Sequence, residues 1–123
     1  MKSLRKVRPD RGLELSDAPM PVPGEGEVLV QVRATGVCGT DLHIDKWTPS
    51  YHFMTPALPV TIGHEFSGVV VALGAAVQGL PIGQLVTVRP SVVCGACTAC
   101  AADRPDDCVT RKGIGVSGDG AFA

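Results

Sequence analysis

Residues 94–108 read CGACTACAADRPDDC, and this cysteine-rich stretch sets the terms on which the rest of the chain is read. Cys94, Cys97, Cys100 and Cys108 are separated by two, two and seven residues. A tetrahedral zinc site takes four thiolates at about 2.3 Å, and loops with two intervening residues let neighbouring thiolates converge on one ion. Disulfides fit poorly. The chain has 5 cysteines, an odd number, and these four lie too close together in sequence to staple distant parts of a fold. The spacing predicts a structural zinc lobe over 94–108.

Outward from the lobe, 15 glycines and 10 prolines cut the chain into short pieces. No segment holds apolar residues at helical spacing for three clean turns. Short β-branched runs take their place: Leu4–Val7, Leu13–Leu15, Glu27–Ala34, Phe66–Leu73 and Leu85–Arg89. Val28, Val30 and Val32 fall on one face of the third run, with Leu29, Gln31 and Arg33 on the other. Turn clusters PMPVPGEGE and GLPIGQ separate the runs. The pattern predicts a mainly β fold, a small barrel or sandwich. Helix is expected only around Gly39–Trp47 and in a turn of the cysteine lobe.

The chain has the length of one ordinary domain, 123 residues. It is 45% hydrophobic and 19% charged, which suffices for a core and does not suit disorder. A net charge of −1 creates no field favouring nucleic acid or an anionic membrane. Asp103, Asp106 and Asp107 inside the cysteine loop argue further against a nucleic-acid-binding ribbon. The basic run Lys2, Arg5, Lys6, Arg8 and Arg11 reads as a solvated edge. The longest apolar stretch, Val69–Val77, contains Gly74 and is too short to span a bilayer. No apolar leader segment follows Met1, and metal-type cysteine usage points to a reducing compartment, hence the cytoplasm.

A second constellation lies upstream. Cys38 stands in GVCGTDLH, and about 25 residues on comes GHE, with His64 and Glu65. Thiolate, imidazole and carboxylate are the ligand types of a catalytic zinc, which keeps one position open for water or substrate. Spacing alone does not bring them together, and each has a plainer reading: Cys38 as a core thiol, His64 as a satisfied polar residue. Thr40, two residues after Cys38, suits either a hydroxyl beside the metal or a helix N-cap. His43 suits a proton carrier or a surface position.

Taken together, GVCGTDLH, IGHEFSGVV, PIGQLVTVRPSVVCGACTAC and GVSGDGAFA resemble the zinc-dependent medium-chain alcohol dehydrogenases, in that family's order and spacing and over nearly the whole chain. The CGTDLHI string and Trp47 look most like the threonine, polyol and butanediol dehydrogenase branches. The resemblance implies a GroES-like β-barrel with short helices. Cys38 and His64 would bind the catalytic zinc, with Glu65 as ligand or support. Thr40 would contact the substrate hydroxyl, and His43 would sit on the proton relay. Cys94, Cys97, Cys100 and Cys108 would hold the structural zinc. It implies a small-molecule alcohol as substrate, and NAD or NADP bound by a Rossmann domain.

Two departures from the family pattern stand out. Gln84 occupies a turn position that is usually acidic, and the family continues for some two hundred residues, through the Rossmann domain and a further zinc ligand. The expectation is therefore a catalytic domain over 1–123 that is inactive alone. The alternative is a free-standing zinc-stabilised β-domain acting as a protein-interaction module, which would self-associate through its exposed face. Gly113, Gly115 and Gly118 satisfy G-x-G-x-x-G on paper. TRK precedes them and DGAFA follows, without the strand, helix and distal acid of a dinucleotide site, so GIGVSG reads as a turn.

Overall fold

A computed structural model describes all residues, 1–123. Eight short strands, two α-helices and two 3₁₀ turns follow one another along the chain. β1 (Lys2–Lys6), β2 (Glu14–Asp17) and β4 (Val60–Thr61) form one antiparallel sheet in the order β2-β1-β4. β3 (Val28–Gly36), β5 (Glu65–Leu73) and β6 (Leu85–Thr87) form the second, in the order β3-β5-β6. β7 (Ser91–Val92) and β8 (Lys112–Gly113) make a ribbon at the base of the cysteine lobe.

The five expected runs all carry strands, with ends displaced by no more than two residues. The barrel expected from the resemblance is not closed. No strand pairs with members of both larger sheets, and β3 has a partner on one side only. Register shifts between Leu29 and Val30 and between Val32 and Ala34 break the strict in-out alternation of β3. Such bulges bend a strand and increase its twist. The end of the chain joins the first sheet instead, beside β1 and the residue after β4: Leu4 N–H donates to the Phe122 carbonyl and Phe122 N–H to that of Ile62, at 2.8 and 3.0 Å.

Ile44, Met54, Val60 and Ile62 are the buried core, with Leu4, Trp47, Tyr51 and Phe122 packed around them. Each such side chain contributes about 1.5–3 kcal/mol by leaving water. The core draws on α1 (Gly39–Lys46), on the 3₁₀ segment Pro49–Ala57 and on β4, so it anchors the helix beside the Gly63–Glu65 turn. Sequence periodicity did not anticipate the 3₁₀ segment, because Pro49 and Pro56 break any helical apolar repeat.

Lys6 overturns the reading of the N-terminal basic run as wholly solvated. It is 0% exposed. Its ammonium donates to the carbonyls of Asp10, Gly12 and Asp45 and lies 4.9 Å from the Trp47 ring centroid. Trp47 caps α1 in the left-handed region at φ 54°, so Lys6 ties β1 to the C-terminal end of that helix. Gln84 lies exposed in a turn where its carbonyl accepts from Val70 N–H at 3.0 Å, and that contact does not depend on the side chain. No helix is long and apolar enough to cross a membrane.

Candidate functional site

The last rung of the β3–β5 ladder pairs Gly36 with Glu65. Cys38 lies two residues past Gly36 and His64 one residue before Glu65, so antiparallel pairing places them side by side. Cys38 Sγ is 3.2 Å from His64 Nε2. The donor atoms of Cys38, His64 and Glu65 all lie within 4.8 Å of one another. Gly36 is part of this arrangement: a Cβ there would come 2.7 Å from Glu65 Oε2.

Cys38 is the N-cap of α1, a role that Thr40 does not fill. Its Sγ accepts from Thr40 N–H at 3.3 Å, and its own N–H donates to Asp41 Oδ2 at 3.0 Å, a capping box with sulfur in place of a hydroxyl. Asp41 is 4% exposed, and its second oxygen, Oδ1, faces His64 Nδ1 at 3.8 Å. Both atoms are buried without a hydrogen-bond partner. A proton on Nδ1, turned toward Asp41, leaves the Nε2 lone pair facing Cys38 and Glu65, which is the tautomer a metal ligand needs. The donor set and these two orphaned atoms fit a zinc ion. Asp41 escaped the sequence reading; the available signal was a carboxylate three residues after a cysteine that opens a helix.

Thr40 and His43 lie one helical turn apart on α1 and make no hydrogen bond to each other. Tyr51, delivered by the 3₁₀ segment, connects them. Its OH donates to Thr40 Oγ1 at 3.3 Å, and its ring stacks on His43 with centroids 5.9 Å apart and 14° between planes. His43 Nδ1 is 3.3 Å from Thr48 Oγ1. Tyr51 also went unread, since a lone tyrosine in an irregular segment carries no spacing signal. An open cleft of about 720 Å³ runs from His64 and Glu65 past Thr35 and Phe66 to Thr87 and Pro90.

In the lobe, Cys94 Sγ lies 3.6 Å from Cys108 Sγ and 4.0 Å from Cys100 Sγ, and all four sulfurs fall within 4.8 Å of one another. A tetrahedron of sulfurs about 2.3 Å from zinc has edges of about 3.8 Å, so these distances suit the ion. Backbone N–H groups of Ala96 and Cys97 donate toward Cys94 and pull its thiol down to about 6. Cys108 is lowered by the Cys94 N–H. Desolvation and the neighbouring Cys97 sulfur push Cys100 up to about 12. Cys94 therefore ionises more readily than Cys100. α2 (Thr98–Ala101) turns the chain between Cys97 and Cys100, and a 3₁₀ turn, Pro105–Asp107, returns it to Cys108. Arg89 pins that return through Asp106 at 2.7 Å.

A β domain with a cysteine-capped helix over a Cys–His–Glu cluster, and a separate four-thiolate lobe, defines a metal-binding module of the alcohol dehydrogenase kind. Residues 24–123 match the alcohol dehydrogenase GroES-like domain, and the chain belongs to that family. It is 46% identical to L-threonine 3-dehydrogenase of Saccharopolyspora erythraea over 123 residues, which is 100% of this chain and 36% of that protein. With the L-threonine 3-dehydrogenase of Stenotrophomonas maltophilia, identity is 48% over 124 residues, again 100% and 36% of the two chains. Among solved structures, an alcohol dehydrogenase of Escherichia coli CFT073 complexed with NADH superposes with a TM-score of 0.86 at 37% identity, covering 99% of this chain and 34% of that one. The 2R,3R-butanediol dehydrogenase of Bacillus subtilis gives 0.78 at 29% identity, covering 98% and 35%. The chain therefore spans about a third of the length of these relatives.

Proposed function

We propose that these residues form the zinc- and substrate-binding domain of an alcohol dehydrogenase that oxidises a secondary alcohol to a ketone. Hydride would pass to NAD or NADP held by a domain outside residues 1–123. The convergence of Cys38, His64 and Glu65 within 4.8 Å carries this reading. The L-threonine 3-dehydrogenase relatives make L-threonine the first substrate to try.

Cys38, His64 and Glu65 would hold the catalytic zinc, and Cys94, Cys97, Cys100 and Cys108 the structural one. When bound, the catalytic zinc supplies Lewis acidity that lowers the pKa of an alcohol hydroxyl. Asp41 fixes both ligands, through the Cys38 N–H and the Nδ1 side of His64. Thr40 Oγ1 takes the hydroxyl proton. The Tyr51 OH, donating to one lone pair of that oxygen, leaves the other free to accept and the Thr40 proton free to move on. The proton that Thr40 releases would cross solvent to His43, which is exposed and whose ring Tyr51 and Thr48 hold in place. A reducing compartment such as the cytoplasm suits a chain that needs five free thiols.

A chimera tests the proposal: residues 1–123 replace the corresponding segment of the Saccharopolyspora L-threonine 3-dehydrogenase. The expected result is NAD reduction with L-threonine or a 2,3-diol, lost on Cys38→Ser. A folded, zinc-loaded chimera that oxidises no secondary alcohol would refute the reading. One observation favours a second reading, the interaction module. β3 has an unpaired edge beside an apolar groove of about 480 Å³ lined by Leu4, Val32, Val37 and Phe122, with Val37 70% exposed. Light scattering separates the two, since a clean monomer counts against self-association through that face.

A further inference from the structure

The GIGVSG string and the residues after it wrap the stretch that presents His64. The Thr61, Ile62 and Gly63 carbonyls each accept a backbone N–H from this segment: Gly120 to Thr61 at 2.8 Å, Phe122 to Ile62 at 3.0 Å and Ala121 to Gly63 at 3.0 Å. In the other direction Thr61 N–H donates to Asp119 Oδ1 at 2.7 Å. Asp119 is the only side chain to bond this backbone stretch from the far side, and the bond is charge-assisted and partly buried.

The packing behind these bonds leaves no slack. Gly63 is buried at φ 94°, and the Phe122 ring occupies the space of any Cβ there. A Cβ on Gly120 would run into the Gly63 carbonyl. Two peptide chains therefore meet face to face at the residue before His64, and the position of one dictates the backbone of the other. His64 itself has no hydrogen-bond partner on Nδ1, so its placement depends on backbone held from this side and on Asp41 from the other.

We propose that Gly113–Phe122 is a positioning clamp for His64, with Asp119 as its latch. This rests on the reading of His64 as a metal ligand. Asp119 touches neither metal nor substrate; it acts through the Thr61 amide on the His64 backbone. Without the latch the Gly63–Glu65 turn samples orientations in which Nε2 and the Glu65 carboxylate no longer converge on Cys38, and metal affinity falls.

The test uses the 123-residue chain with its cysteine lobe first filled by one equivalent of zinc. Cobalt(II) is then titrated and followed by thiolate-to-cobalt charge-transfer absorption, which reports Cys38. Asp119→Ala is expected to raise the cobalt Kd about tenfold, the lower end of what loss of a supporting group does to a metal site. Asp119→Asn keeps an Oδ1 acceptor for Thr61 and is expected to recover most of the affinity. Lobe zinc content serves as the internal control of folding. An alanine variant that retains lobe zinc and binds cobalt at the wild-type Kd would overturn the clamp and leave the metal site standing. Loss of lobe zinc in that variant would make Asp119 a general folding residue and overturn the proposal too. A wild-type chain that takes up no cobalt would overturn the ligand reading of His64, and the clamp with it.

Discussion

Replacing Lys6 by methionine keeps most of the buried stem and removes only the ammonium, so the effect can be worked from its contacts. Three carbonyls lose a donor, but Asp45 keeps one in the Gly12 N–H at 2.8 Å. The Asp10 and Gly12 carbonyls are left short, at about 1 kcal/mol each or more. The contact with the Trp47 ring is worth about 1 kcal/mol. Against this, methionine avoids the desolvation of a fully buried cation, which offsets part of the loss. We expect the three losses to win by about 2 kcal/mol, since the cage supplies the ammonium with several acceptors. For a chain of this size that is about 8 °C in Tm.

The pH dependence provides a second readout. Desolvation lowers the Lys6 pKa below 10.5, opposed by the carboxylates of Asp10 and Asp45. Between that lowered value and 10.5 the unfolded chain keeps a proton that the folded chain has released, so stability rises with pH across this window and is lost as pH falls through the folded pKa. Lys6→Met removes this slope. Melts followed by circular dichroism at pH 7, 9 and 10 should show the gap between wild type and variant widening with pH. A variant within 2 °C of wild type at pH 7, or a gap that does not change with pH, would refute the argument.

Cys94→Ser should abolish zinc retention by the lobe and melt residues 94–108 while leaving the Ile44–Met54–Val60–Ile62 core folded, because the lobe buries only Ala99 and Cys108; amide exchange separates the two regions. Zinc uptake by the reduced lobe at pH 7 should release fewer than four protons, since Cys94 is already lowered to about 6, and affinity should fall as pH drops through that value. Calorimetry in buffers of different ionisation enthalpy counts them. Thr40→Ala should leave the melting curve nearly unchanged and cut turnover of the chimera by a factor of about 10² or more; a large loss of stability would make Thr40 structural. Gly63→Ala should destabilise the chain by about 3 kcal/mol or more, since it needs positive φ and space that Phe122 fills; denaturant unfolding measures it.

Much of this protein is local, and local features were legible. The thiolates of the lobe lie within one short loop, so their spacing alone implied convergence. The β runs, the short helix after Cys38 and the turn character of GIGVSG follow from side-chain shape and from glycine and proline. The pairing of Cys38 with His64 was legible only through the resemblance, because a contact across 26 residues depends on which strands pair and in what register. Three residues stayed hidden for the same reason. Asp41 matters through an oxygen aimed at His64, Tyr51 through a 3₁₀ segment that no periodicity announces, and Asp119 through a bond to Thr61, 58 residues away. Lys6 was misread because charge patterning does not tell which cation the fold will enclose.

The amino-acid sequence by itself determined the ligand types, the lobe and the strand-forming runs, since these depend on chemistry and spacing within a few residues. Only the tertiary structure decided which donor side chains meet, which segment packs against the backbone before His64, and that the barrel stays open along β3. Those outcomes depend on register and on backbone packed against backbone, where one residue's place is set by partners far away in the chain.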